Sequence, residues 1–310
     1  GPMARTVTDA AILMGVLESG VPDPDDAATT RCTPPPGRDY TKFLRREGLR
    51  GARIGIPRAY FYDKMTVPGE KEPRGGLDAD RAKLMADAID ILRREGAVIV
   101  DPADLPSVLD PEPTGNVLAF DTCSGVNNGT GKDAGCSVVF KYGMKRDFNA
   151  WLASLGTAAP VKSLTELRIF NLTHTRGNAI RYGQSNLDIS DEMDLRTDRA
   201  RYDADRAKDL MLAEERGLKA AIASHHLDAL VFPGWPAAGI ASRPGYPIIV
   251  VPFGTVAASG PNPYPAGFDP KPAPYSVGFV GLACSEPRLI ELTYAFEQAT
   301  KRRVPPPATP

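Results

Sequence analysis

Apolar residues recur three and four positions apart between Thr6 and Leu17. Val7, Ala10, Ala11, Met14 and Leu17 fall on one stripe, which predicts a helix. Gly20 and the proline- and aspartate-rich stretch from Val21 to Asp26 end it, and three consecutive prolines within Arg31 to Arg38 predict extended surface loop. Gly51 to Pro57 reads as a short buried strand closed by proline. Asp78 suits the N-cap of a helix that buries Leu84, Ala88, Ile91 and Leu92, and Gly96 stands where a glycine ends a helix. Val98 to Val100 is the next strand. Strand, helix, strand in that order predicts parallel neighbours, with the polar connection from Tyr60 to Gly76 as a surface excursion.

Beyond a proline-rich stretch from Asp101 to Asn116 and a glycine- and asparagine-rich loop from Ser124 to Gly135, helices are expected over Val138 to Leu155 and Ser163 to Asn171. A longer one is expected over Asp203 to Ser224, with Met211, Leu218 and Ile222 on one face. Ala229 to Phe232 and Ile248 to Val251 are continuous apolar runs of the kind buried strands show. Gly254 to Pro274 reads as loop, Ser276 to Ala283 as strand, and Ser285 as the cap of a final helix through Glu297. The pattern predicts an α/β fold, a mixed, mostly parallel sheet flanked by helices, in a single domain over 1–310 with a disordered tail at 304–310.

Composition narrows the partners. The 310 residues are 42% hydrophobic and 24% charged, an ordinary globular balance. The net charge of −1, from 37 basic and 38 acidic residues, offers no footprint for nucleic acid or an anionic membrane. No apolar stretch has the length of a membrane span, and no secretory signal is read at the start. Scattered thiols at Cys32, Cys123, Cys136 and Cys284 fit a reducing cytoplasm, with a single Cys123–Cys136 bridge as the alternative. Cytoplasmic localisation is the expectation.

The chemistry of common sites is missing. In Gly125 to Asp133 the glycine spacing departs from a phosphate-binding loop, and Asp133 stands where a hydroxyl residue would hold magnesium. His174, His225 and His226 have no partners at zinc-ligand spacing, and His225-His226 suits a helix end. No metal or cofactor is expected. No G-x-S-x-G elbow occurs, and no serine has a lysine three positions later. The acidic pairs Glu214-Glu215 and Asp191-Glu192 read as solvated faces.

An ordered set of segments nevertheless resembles the amidase-signature family, and within it the peptide-amidase-like branch. Gly1-Pro2-Met3-Ala4-Arg5-Thr6-Val7-Thr8-Asp9-Ala10-Ala11 resembles a G-P-[ML]-[AT]-R-[ST]-V-x-D-A-A segment of that family. Gly48 to Pro57 resembles the strand that follows it. Leu164-Thr165-Glu166 through Asn171, with Tyr182-Gly183-Gln184, resembles a stretch of the peptide-amidase-like branch. Asp228 to Pro233, Gly245 to Pro252, Gly278 to Gly281 and Glu291 to Thr300 resemble the late core and the ending.

The resemblance implies hydrolysis of carboxamide C–N bonds by a Ser–Ser–Lys triad. A lysine deprotonates a bridging serine, which activates the nucleophilic serine, while backbone N–H groups stabilise the oxyanion. In the family those groups precede the G-P-M segment, so no catalytic residue carries over to this sequence. The expectation is a C-terminal portion lacking the triad, inactive alone, with Gly1-Pro2 either native or a tag scar. Trp235, just past a strand end, is the leading candidate to face a small-molecule amide substrate, followed by Tyr182 and Gln184. An incomplete sheet also implies self-association. The competing readings are a non-catalytic remnant that keeps a pocket and a generic α/β ligand-binding module.

Overall fold

A computed structural model describes residues 1–124, 135–174, 180–234, 236–258 and 267–305. In chain order its main elements are α1 (Val7–Leu17), β1 (Arg53–Gly55), β2 (Lys64–Met65), β3 (Arg74–Gly75), α2 (Ala79–Arg94), β4 (Val98–Val100), α3 (Pro106–Leu109), α4 (Val139–Ser154), α5 (Leu164–Thr173), α6 (Ser185–Asp191) and α7 (Arg199–Leu210). A π-helical stretch (Met211–Leu218) precedes α8 (Lys219–His225), β5 (Ala229–Pro233), α9 (Ala238–Ala241), β6 (Ile248–Val256), β7 (Ala273–Val280) and α10 (Glu286–Thr300). Contacts divide the chain into two compact units, Gly1–Leu109 with Ala213–Pro310, and Asp110–Leu212.

The first unit carries a five-stranded sheet in the order β4-β1-β5-β7-β6. β1 pairs in parallel with β4 and β5, as the strand, helix, strand pattern requires. β7 pairs antiparallel with β5 and β6, so the sheet is mixed, with a parallel side and an antiparallel side. β5 is buried at every residue because it lies inside the sheet and is covered on both faces. α2 and α10 touch each other and the sheet, which places them on one face. Between them and the strands sit Phe253, Phe279 and Phe296, with the Phe296 ring 5.4 Å from Phe253 and 5.5 Å from Phe279. Burying one such ring contributes roughly 1.5–3 kcal/mol.

Local signals set the helix ends. Thr6 Oγ1 accepts the Asp9 N–H at 3.0 Å, and Asp78 accepts the Arg81 N–H at 2.8 Å. Gly96 ends α2 with φ of +92°, and His226 closes α8 in the left-handed region. The buried face of α2 is Met85, Ala88, Ile89, Ile91 and Leu92; Leu84, expected inside, is only half-buried. Leu17 of the predicted α1 stripe and Met211 of the long helix are likewise exposed. The π-helical stretch shifts the helical phase after Leu210, which takes Met211 off the face that Leu218 and Ile222 share. β6 and β7 reach further than expected, to Val256 and back to Ala273, so both ends of the expected Gly254–Pro274 loop lie in strands; residues 259–266 of it lie outside the described residues.

The expected free thiols are corrected. Cys32 is bonded to Cys284 and Cys123 to Cys136, with Cα–Cα separations of 5.4 and 4.9 Å. The first bridge joins residues 252 apart in sequence, a pairing that only the fold could reveal.

The second unit is helical. Tyr142 and Tyr202 stack with ring centroids 4.6 Å apart over a small core of Cys123, Val138, Tyr142 and Met193. Asp191 ties three elements together. It accepts hydrogen bonds from Thr165 Oγ1 at 2.7 Å and Arg168 Nη1 at 2.6 Å, and Lys145 Nζ lies 3.2 Å away. Burial pushes its carboxyl up, but these partners outweigh burial and hold its pKa below the ordinary value. Its contribution is therefore present above the unfolded value of about 3.9 and is lost as pH falls through the lower folded value. Asp191→Asn is expected to cost this unit about 2 kcal/mol at neutral pH. It should also flatten the acid limb of the stability–pH curve, measured by urea melts between pH 3 and 7. A variant with the wild-type acid limb would assign no role to this carboxylate.

Candidate functional site

Three places were sequence candidates or carry chemistry, and their geometry separates them. The first is the carboxyl end of the parallel strands in the first unit. Beyond β1, Phe61 and Tyr62 fold back over β5. The Phe61 ring meets the edge of Phe232 at 4.7 Å, and Tyr62 Oη donates to the Val231 carbonyl at 2.8 Å. Arg58 grips Asp101 with two bonds of 2.7 and 2.6 Å and lies over the Tyr62 ring at 5.1 Å. Burial pushes the Tyr62 hydroxyl well above its ordinary value, so it stays protonated as a donor. This end of the sheet is filled by aromatic packing.

β5 leaves the sheet through Gly234, whose φ is +76°. Its carbonyl oxygen lies so close to Gly278 of β7 that a side chain there would collide with backbone. Trp235, the leading substrate-facing candidate, lies outside the described residues. Nearby in sequence register, Tyr275 is buried, its hydroxyl is pushed up to about 12 by burial, and it has no hydrogen-bond partner among the described residues.

The other two sequence candidates belong to the second unit. Tyr182 is 91% exposed, with the Arg181 guanidinium 5.6 Å from its ring centroid. Gln184, half-buried at the start of α6, accepts from Asn171 Nδ2 at 3.2 Å. The same unit holds a serine and a lysine four residues apart, Ser137 and Lys141, both buried. Ser137 Oγ donates to Asp209 Oδ2 at 2.7 Å, while Asp205 accepts from the Val138 N–H at 3.0 Å and from Arg201 Nε at 2.9 Å. A nucleophilic serine needs its proton taken by a base and its oxygen open to substrate. Ser137 gives its proton to a carboxylate behind a sealed surface, so the cluster supports the base of α4.

The third place was missed in the sequence. A cleft of about 620 Å³ lies in the first unit, between residues 1–14 and β6. Met3, Val7, Ala11, Met14 and Ile290 line it opposite Ile248 to Pro252. Among the described residues β6 is the last strand of the sheet, paired only with β7. The Gly281 N–H donates to the Pro247 carbonyl at 3.3 Å, which fixes the phase of the ladder. By antiparallel alternation the N–H and C=O of Ile248 and Val250, and the C=O of Pro252, then point away from β7. Proline is tolerated at such a position because an outer edge has no ladder bond to lose.

α1 borders the same cleft, and Ile12 and Val16 on its outer side are exposed. Two carboxylates reach the cleft, Glu286 and Glu297, both raised by burial, and Glu297 accepts the Val7 N–H at 2.9 Å. No serine, cysteine, lysine or histidine is among the lining residues. An open strand edge between apolar walls is built to take up backbone and apolar side chains; its one lining hydroxyl, Thr6 Oγ1, is bound as the N-cap of α1.

No metal-binding group of three or more His, Cys, Asp or Glu occurs among the described residues, and none of their helices is long and apolar enough to cross a membrane. No family model matches the chain. It is 28% identical to a probable amidase of Arabidopsis thaliana over 307 residues, 99% of this chain and 49% of the plant protein. The native peptide amidase of Stenotrophomonas maltophilia superposes with a TM-score of 0.72 at 30% identity, over 99% of this chain and 54% of the enzyme. A bacterial aryl acylamidase of the amidase-signature family shares the fold, with a TM-score of 0.55 at 17% identity over 96% of this chain and 52% of its own. The chain thus spans about half the length of the proteins it matches. The collinear likeness and the mixed sheet agree: the chain is similar to proteins of the amidase-signature family, on its peptide-amidase-like side, and shares their fold.

Proposed function

We propose that this chain is the pocket-bearing part of an enzyme that hydrolyses carboxamide C–N bonds, and that the two serines and the lysine of the reaction lie outside these 310 residues. The observation that carries the reading is the open edge of β6 beside an α1 that is apolar on its outer side as well. A helix apolar all round belongs in an interior. The missing S-x-x-K spacing and the sealed Ser137 support the same reading.

In the whole protein the lysine, desolvated and so lowered in pKa, takes a proton through one serine from the other. The activated oxygen attacks the amide carbon, and preorganised N–H donors hold the oxyanion until ammonia or an amine departs with the proton taken from the serine, leaving an acyl-serine that water hydrolyses to the carboxylic acid. Trp235 is proposed to face the substrate; Tyr182 and Gln184, in the other unit, are separate candidates for substrate binding, each tested by its own substitution. The Stenotrophomonas enzyme is a peptide amidase, which makes peptide amides the first substrates to test.

The 310-residue chain by itself is expected to release no ammonia from a peptide amide and to take no label from a fluorophosphonate. A longer polypeptide that places the serines and the lysine ahead of Gly1 should do both. Turnover by the short chain alone overturns the reading.

A further inference from the structure

The segment from Ser19 to Arg31 has no buried residue, and its only regular structure is one 3-10 turn at Ala27–Thr30. It holds itself together through its own short bonds, Asp23 N–H to Thr29 Oγ1 at 2.8 Å and Ala28 N–H to Asp26 at 3.0 Å. A segment that buries nothing has little to offset the entropy of staying in one place. Two links nevertheless fasten its far end. Arg31 Nη1 donates to the Pro244 carbonyl at 2.9 Å, and the neighbouring Cys32 is bonded to Cys284, in the turn between β7 and α10. A single part-buried hydrogen bond from a charged donor contributes about 1.5–3 kcal/mol, against an ordering entropy of about 1 kcal/mol or more for each residue of the strap. The covalent bridge is the dominant anchor. The remaining two cysteines are paired as well, which leaves no free thiol in the chain.

We infer that this protein matures where thiols are oxidised, and that the Cys32–Cys284 bridge is what holds the segment 19–32 against the turn before the last helix. Two structural bridges in a chain with a full-sized core are unusual for a reducing compartment, where glutathione keeps thiols reduced. Each bridge forms when two thiols lose two protons and two electrons to a disulfide oxidant such as glutathione disulfide, which becomes two thiols. The reverse exchange would free the strap and leave the sheet and its aromatic core intact, because no core residue lies in the strap.

The test has two parts. Protein taken from its own cells, with thiols trapped by iodoacetamide at lysis, should show no alkylated cysteine until it is reduced. After digestion without reductant, peptides joining Cys32 to Cys284 and Cys123 to Cys136 should appear. In the oxidised protein, trypsin should cut slowly after Arg31 and Arg38. Mild reduction and alkylation, or Cys32→Ser or Cys284→Ser, should speed those cuts roughly tenfold or more while far-UV circular dichroism stays unchanged. The single and double variants should behave alike, since the bridge acts as a unit, and Cys123→Ser with Cys136→Ser should leave the cuts after Arg31 slow. Alkylated Cys32 or Cys284 in the native protein overturns the inference, as does an unchanged cleavage rate on reduction. Reduction of the wild type keeps the test sharp even if a serine variant does not fold.

Discussion

Phe232→Ala is expected to lower the stability of the sheet-bearing unit by about 3–5 kcal/mol. The ring is fully buried on β5, which is flanked by β1 on one side and β7 on the other. Its partner Phe61 meets it edge-on at 4.7 Å and is itself held by the Tyr62 hydroxyl on Val231 next door. Because hydrogen-bonded strands fix the backbone on both sides, little can move in to fill the void, which puts the cost at the upper end of the large-to-small range. Urea melts should show a reduced midpoint with an unchanged slope, since the surface exposed on unfolding stays the same. A loss below about 1 kcal/mol would mean that Phe61 follows the deletion inward and that the carboxyl end of the sheet is soft.

The second large effect concerns association. The chain by itself is expected to self-associate at micromolar concentration, and Val250→Lys with Val16→Lys should weaken that association by about tenfold or more. Both residues are exposed, Val250 on the open edge of β6 and Val16 on the outer side of α1. At Val250 the backbone N–H and C=O also point outward, so a second strand can add to the sheet there. Lysine at such an edge makes a neighbouring strand desolvate a charge, a device natural sheets use to stay apart. Sedimentation of wild type and double variant over a concentration series separates the outcomes. A wild-type chain that is a monodisperse monomer at high concentration would argue that this face needs no partner, and would weaken the proposed function with it.

Much of the fold was legible because its signals are local. The capping hydroxyl of Thr6, the carboxylate of Asp78 and the glycine at Gly96 act within a few residues, and each marks a helix end where expected. The continuous apolar run at β5 announces a strand covered on both faces, and strand, helix, strand around α2 requires parallel pairing. Other features needed partners far along the chain. The stripe of Val7, Ala10, Ala11, Met14 and Leu17 predicts one buried face, while the equally apolar Ile12 and Val16 lie off it. They were the one sequence clue to the cleft, because an eleven-residue helix apolar on two sides asks for two neighbours. The π-helical stretch at Met211–Leu218 escaped because periodicity assumes a constant turn.

The order of residues by itself determined the element types, the helix ends, the absence of common catalytic and metal motifs, and the collinear likeness to the amidase-signature family. These follow from interactions between neighbours in the chain and from matching segments in order. Only the tertiary structure decided that β6 ends the sheet, that its outward backbone groups face a cleft, and that Ser137 spends its proton on Asp209. It alone joined Cys32 to Cys284 across 252 residues, where free thiols were expected. Strand order, burial and disulfide partnership depend on which distant segments meet. That is set by the summed burial of many apolar faces, which no short window of sequence contains.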